Sequence, residues 1–280
     1  MKAYSCKSNR DLILKCMSRI SPMASEYVRD SFSKVIVIFS ILDEGQEGFF
    51  LKVVENDLCI YYASFSDDSS PEILDKISRE ISAERLTQQE ICFNIFGENR
   101  RVIAHVQNNG FSLDMAGFVL RLNAVASSTV YLGDLTTCGF NPRMLEAYID
   151  LFEKAYEQLN IDNGWDTRSY FKHINDFGRQ LCNFNDQRLI QSFWLKDVLV
   201  GCYIINGCYI TDLVVQPRFQ NRGYGRLILR HCISFMREHH GLSEILLRVT
   251  ESNQAAKRFY ERNGFDTISH FAEHTFRHSL

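Results

Sequence analysis

The run Val215-Gln216-Pro217-Arg218-Phe219-Gln220-Asn221-Arg222-Gly223-Tyr224-Gly225-Arg226 sets two glycines among arginines directly ahead of a helical pattern. Residues of these types bind anions. The first N–H groups of a helix have no partner inside it, and the aligned peptide dipoles add partial positive charge at the same end. Gly223 and Gly225 let the backbone approach a phosphate closely, while Arg218, Arg222, Arg226 and Arg230 supply cationic side chains around the turn. Taken alone, the run also fits a flexible turn followed by a solvated basic face.

The other residue types with chemical reach are dispersed. Nine cysteines are odd in number and contain no Cys-x-x-Cys pair, which points away from a disulfide framework and from zinc; most are expected as small buried residues. His270, His274 and His278 recur every fourth residue. Residues 270–276 read as a strand, on which four residues span about 13 Å, too far for His270 and His274 to share an ion. No metal is expected.

Positioning the glycine run requires a strand before it and a helix after it. Tyr209 to Val215 is apolar and β-prone, Pro217 marks the turn, and Leu227, Ile228, Cys232, Phe235 and Met236 follow with helical spacing. Beyond them Ser243 to Val249 reads as a strand. Thr250-Glu251-Ser252-Asn253 reads as a cap for a helix carrying Ala255, Ala256, Phe259 and Tyr260, which stops at Asn263-Gly264-Phe265.

The two patterns, V-x-P-x-x-Q-x-x-G-x-G and then N-x-x-A-x-x-x-Y-x-x-x-G-F, together resemble the GCN5-related N-acetyltransferase (GNAT) superfamily over about the last third of the chain. The resemblance implies that the pantetheine arm of acetyl-CoA lies extended between the strand Cys208 to Val215 and the strand Ser243 to Thr250. It puts the diphosphate on the N–H groups of Gln220, Asn221, Arg222, Gly223, Tyr224, Gly225 and Arg226, and a backbone N–H near Leu213 or Val214 on the thioester carbonyl. Tyr260 matches the family's usual general acid, against the alternative of a tyrosine packed in the core. Asn253 either bonds the pantetheine or caps its helix. Asp212 lies where many relatives carry an acidic residue; as a direct base it is poor, since moving a proton from an ammonium near pKa ~10 to a carboxylate near ~4 costs about 8 kcal/mol. It is expected instead to position the ammonium or to pass its proton through water. Asp162, Trp165, Asp166 and Phe171 fall in the region that borders the acceptor site in relatives, although capping and packing explain them equally well.

At 280 residues the chain has the length of two compact domains. The first half reads, after two helical pieces (Leu12 to Ile20, Ala24 to Phe32), as strands Val35 to Leu42, Phe49 to Val54 and Leu58 to Phe65, helix Pro71 to Ser82, strand Glu90 to Phe96, helix Glu98 to Gln107 and strand Phe111 to Leu122. The second half repeats that order: strand Val130 to Leu135, helices Pro142 to Leu159 and Asp166 to Asp176 with Asp166 as cap, then strands Arg188 to Leu195, Val198 to Ile205 and Cys208 to Val215. Lys196-Asp197 and Asn206-Gly207 are the hairpin turns. Asn99, Asn109, Gly110 and Phe111 recur as Asn253, Asn263, Gly264 and Phe265 at a constant spacing of 154 residues, from 99 to 253 and from 111 to 265. The fold class is therefore α+β, with two tandem GNAT-like domains: 1–123 a degenerate copy, 124–128 a linker of small residues, 129–280 the acetyl-CoA-binding copy. At that spacing Ser69, Pro71 and Val106 replace Gly223, Gly225 and Tyr260, and Ser-Ser-Pro after Asp67-Asp68 is a capped helix start whose Ser and Pro satisfy or remove the donors a diphosphate needs, beside two aspartates that repel it.

A net charge of −3 and a pI near 6.2 give no nucleic-acid footprint. No run has the length of a transmembrane helix, and the start lacks a signal-peptide core, so a soluble cytoplasmic protein with no membrane partner is expected. The expected function is acetyl transfer from acetyl-CoA, the cosubstrate, to a primary amine of a small molecule or peptide by direct attack. A non-catalytic acyl-CoA-binding or protein-interaction module and an aminoacyl or other acyl transferase are the alternatives. Sequence leaves the acceptor and the oligomeric state open.

Overall fold

The protein is described here from a computed structural model covering residues 11, 13–18, 24–25, 28–29, 34–43, 46–55, 58–68, 70–86, 90–123 and 130–277. The expected linker at 124–128, Ser69 and His278 lie outside these residues. In chain order the elements are β1 (Val35–Asp43), β2 (Gln46–Glu55), β3 (Leu58–Phe65), α1 (Pro71–Glu84), β4 (Glu90–Phe96), α2 (Arg100–Asn108) and β5 (Ser112–Leu122). There follow β6 (Leu135–Cys138), α3 (Leu145–Asn163), α4 (Ser169–Lys172), α5 (Ile174–Asp186), β7 (Ile190–Leu195), β8 (Val198–Asn206), β9 (Tyr209–Val215), α6 (Tyr224–His240), β10 (Leu246–Thr250), α7 (Gln254–Glu261) and β11 (Phe265–Arg277). This is a mixed α+β fold with mostly antiparallel sheet flanked by helices. It divides into two compact units, Met1–Val119 with Thr267–Leu280, and Leu120–Asp266.

In the first unit β1, β2 and β3 form an antiparallel meander, β4 joins β3 in parallel, and β11 pairs antiparallel with β4 from Phe271↔Phe96 to Arg277↔Glu90. Residues 267–277, which sequence order groups with 129–280, thus complete the first unit's sheet. Ile91, Phe93 and Ile95 of β4 are fully buried, and a strand of that character needs partners on both edges. Alternate residues of β3 and β4 face α1 and α2, where Phe50, Tyr61 and Phe93 stack with centroids 5.1–5.6 Å apart. Helix α1 presents Ile73, Ile77 and Ile81 at fourfold spacing to that core, and α2 presents Val102 and Val106. Strands β3 and β4 stay paired from Leu58↔Glu90 to Ser64↔Phe96. Just beyond, Asn99 Nδ2 donates to Phe65 O (2.6 Å) while its Oδ1 accepts from Phe65 N–H (2.7 Å). The Ser70 side chain makes no capping bond on α1, whereas Asp68 Oδ2 accepts from the N–H groups of Arg101 and Val102 at the start of α2.

In the second unit β6, β7, β8 and β9 form an antiparallel meander, and β10 runs parallel to β9. Three expectations need correction. Residues 130–134 are not a strand: Leu135 N–H donates to Leu132 O (3.2 Å) across a turn with Gly133 at φ +60°, so β6 begins at Leu135. Asp166 caps no helix over 166–176. Its carboxylate accepts from Arg168 N–H and pairs with Lys172, and the helix proper starts at Ile174 and runs to Asp186. Phe177 and Leu181 drive its burial; Gly178 lets it close on α3, since a Cβ there would stand 3.1 Å from a Leu145 methyl. The β8–β9 turn is Gly207-Cys208, one residue later than expected, because Asn206 pairs with Tyr209.

Candidate active site

Strands β9 and β10 pair only at Tyr209↔Leu246 and Ile210↔Leu247 and then separate. A β-bulge at Thr211, where the β8 register jumps from Ile205↔Ile210 to Ile204↔Asp212, turns the end of β9 at the same place. The gap is a cavity of about 930 Å³ walled by Leu213, Val214 and Val215 on one side and by Asn253, Ala256, Phe259 and Tyr260 on the other. Unpaired on that side, β9 offers its peptide groups to an extended ligand as a sheet edge does.

One end of the cavity meets the N-terminus of α6. Gly223 is its N-cap at φ +89°, a conformation that favours glycine, and a Cβ there would meet nothing within 4 Å. The first bond of the helix runs from Leu227 N–H to Gly223 O (3.1 Å), so the N–H groups of Tyr224, Gly225 and Arg226 have no partner four residues back. Gln220 differs from the others in the run. Its N–H is bonded to Pro217 O and its side chain to Val215 O (2.9 Å), so it braces the loop. Asn221, Gly223, Gly225 and Arg226 line the cavity; Arg222 and Tyr224 do not, and the Tyr224 ring packs edge-on against Phe219. Arg218 is turned away, over the Phe219 ring and onto Gln216 Oε1. The cations missed by the sequence reading are Arg258 on α7 and Arg262 at its C-cap, four residues apart and both on the cavity wall. Their spacing with Tyr260 on one short helix was the available signal.

Asn253 Oδ1 accepts from Ala256 N–H (3.1 Å), so its oxygen caps α7 while the residue lines the cavity. Tyr260 is 8% exposed, packs against Phe259 and Phe265, and reaches the cavity. Burial pushes its phenol well above the ordinary value, with Cys232 and Asp212 adding to the shift. A thiolate formed in the same enclosure is disfavoured for the same reason, so the gap between the two acids narrows relative to each one's own shift.

Asp212 does not line the cavity. Its Oδ1 accepts from the hydroxyl of Tyr156 (2.8 Å), which does. Burial raises the Asp212 carboxyl above the usual range, partly offset by the hydrogen bonds from Tyr156 and Thr211. No local pattern singles out Tyr156, one of two tyrosines on α3. Its place follows from the burial of Tyr148, Ile149, Leu151 and Phe152, which fixes the helix over the sheet, and from the ring contacts of Phe152 with Tyr156 (6.0 Å) and Tyr170 (5.2 Å). Of the expected acceptor-side residues, Asp162 lines the cavity, Asp166 is held by Lys172, Phe171 lies under the Arg168 guanidinium, and Trp165 is half-buried beyond the end of α3.

Diverging parallel strands that end on an open helix N-terminus, with cations on the facing helix, define an α+β domain whose cleft suits an extended ligand with phosphate at one end. Residues 145–265 match the model of the Acetyltransferase (GNAT) family. The chain is 36% identical over 90 residues to a ribosomal protein bS18-alanine N-acetyltransferase of Salmonella typhimurium; the match covers 32% of this chain and 60% of that relative's length. A GCN5-related N-acetyltransferase from Sphaerobacter thermophilus shares the fold with a TM-score of 0.55 at 17% identity, covering 97% of this chain and 93% of that one. A GNAT-family acetyltransferase from Colwellia psychrerythraea does so at 0.51 and 14%, covering 93% and 97%. Among the described residues no helix is long and apolar enough to cross a membrane, and no group of three His, Cys, Asp or Glu side chains converges.

Proposed function

We propose that the protein transfers an acetyl group from acetyl-CoA to a primary amine by direct attack. The observation that carries this is the early parting of β9 from β10 with the open α6 N-terminus at the end of the gap. In that reading the pantetheine runs along Leu213 to Val215 and meets Asn253. The diphosphate sits on the N–H groups of Asn221 to Arg226 with Arg226 nearby, and Arg258 and Arg262 face the same anion. A β9 N–H at Leu213 or Val214 polarises the thioester, the amine nitrogen bonds to the acyl carbon as the C–S bond breaks, and Tyr260 protonates the leaving thiolate. The first unit is a copy that has lost the donor site. The acceptors to try first include a protein alanine, because the matched relative is a ribosomal protein bS18-alanine N-acetyltransferase. Calorimetric titration with acetyl-CoA, followed by thiol release with a panel of primary amines, tests the reading. Absence of donor binding refutes it, and binding without turnover on any amine leaves a non-catalytic acyl-CoA module.

A further inference from the structure

Tyr156 lines the cavity, and its hydroxyl donates to the Asp212 carboxylate. We propose that Tyr156 is a catalytic residue that meets the acceptor amine and relays its proton to Asp212. The inference rests on the acetyl-transfer reading above and adds the route by which the acceptor is deprotonated.

Three features of the geometry carry it. Asp212 is half-buried and is not among the residues that wall the cavity, whereas Tyr156, bonded to it, is. The phenol oxygen gives its hydrogen to Asp212 Oδ1 at 2.8 Å and keeps lone pairs to accept from an ammonium N–H. Among the described residues the titratable groups facing Asp212 are Tyr156 from α3, Tyr170 from α4, Tyr260 from α7 and Cys202 from β8, none of them a cation. Burial among these groups makes Asp212 a stronger base than an exposed aspartate.

The protons balance without a further reagent. The ammonium gives one proton to Tyr156 Oη as the Tyr156 proton passes to Asp212, leaving a neutral amine, a neutral phenol and a neutral carboxylic acid. The free amine pair then forms the C–N bond. The second amine proton leaves as the amide forms and restores Tyr260, whose own proton has gone to the thiolate, and Asp212 returns its proton to water.

The test is the pH profile of acetyl-CoA turnover with a primary amine in wild type, Tyr156→Phe and Asp212→Asn. Tyr156→Phe keeps the ring contact with Phe152. It is expected to lose about 10²- to 10³-fold in kcat/KM near neutral pH, the usual weight of acid–base catalysis, with acetyl-CoA affinity unchanged. As pH approaches the amine's own pKa the acceptor arrives deprotonated, and the variant should recover to within about tenfold of wild type. The double variant should be no worse than either single one, because the two residues act as a unit. A deficit that stays constant with pH, additive losses, or an undiminished rate in Tyr156→Phe would overturn the relay. If Tyr156→Phe does not fold, the Asp212→Asn profile decides alone, with the same high-pH recovery required. Wild-type protein that binds no acetyl-CoA, or acts on no amine of the panel, overturns the acetyl-transfer reading instead.

Discussion

Offered saturating acetyl-CoA, the chain is expected to take up one molecule, in the cleft of residues 120–266. The first unit has strands and helices in the same order, but β3 and β4 stay paired from Leu58↔Glu90 to Ser64↔Phe96, where β9 and β10 part after Ile210↔Leu247. Admitting a pantetheine there would separate Tyr61–Ser64 from Phe93–Phe96, at a loss of roughly four ladder bonds, and would also break the two Asn99 bonds to Phe65. At about 1 kcal/mol net for each bond the penalty is about 6 kcal/mol, or about 10⁴ in Kd. The helix ends add to it, because Pro71 removes one donor at α1 and the Asp68 carboxylate already covers two at α2. Isothermal titration calorimetry reads the stoichiometry directly, and Asn99→Ala should still bind one molecule, since the strand pairing persists without it. Two acetyl-CoA per chain, in either protein, would refute the argument that an unbroken strand pair closes the site.

Gly223→Val places a β-branched residue at φ +89° and a side chain in the open space ahead of α6, so acetyl-CoA affinity should fall at least about tenfold, or about 1.4 kcal/mol. An unchanged Kd in the folded variant would move the phosphate site elsewhere. Tyr260→Phe keeps the contacts with Phe259 and Phe265 and should lower kcat by roughly 10²- to 10³-fold with little change in donor affinity; wild-type kcat in a chemistry-limited assay would return Tyr260 to packing alone. His231 and His274 are held below the ordinary value of 6.5 chiefly by burial. Below that value the unfolded chain binds protons that the folded one does not. Stability is thus fully present above pH 6.5 and falls on acidification, by at most about 1.4 kcal/mol per pH unit for each histidine. Urea midpoints at pH 7.5 and 5.5 check this, and a midpoint that rises at the lower pH contradicts it.

The glycine run, the strand before it and the helix after it were legible because each has a local cause: a β-prone run, a proline turn, and a 3.6-residue apolar period beginning after Gly223. Pattern also recovered β3, β4 and both parallel strands to within a few residues. It failed where tertiary contact decides. Nothing local tells that α5 passes through Gly178, since that glycine is tolerated only because Leu145 lies against it. Tyr156 is one of two tyrosines on α3, and its link to Asp212, many residues away, exists only once α3 lies across β9. The shift of the basic set from Arg218 and Arg222 to Arg258 and Arg262 has the same origin, because the loop arginines turn back onto Phe219 and Gln216 or outward.

The pairing of β11 with β4 ties the first unit to the order of synthesis. Strand β4 can be made and its helices docked, yet one edge, with Ile91, Phe93 and Ile95 along it, has no native partner until residues 265–277 have emerged from the ribosome. More than 140 residues intervene, a long loop to close, so the slow event in maturation is expected to be the capture of that strand. Every nascent or clipped form lacking it carries an open apolar edge, a template for pairing with another chain. A fragment beginning near residue 125 would have the opposite fault, carrying β11 with no β4 to receive it.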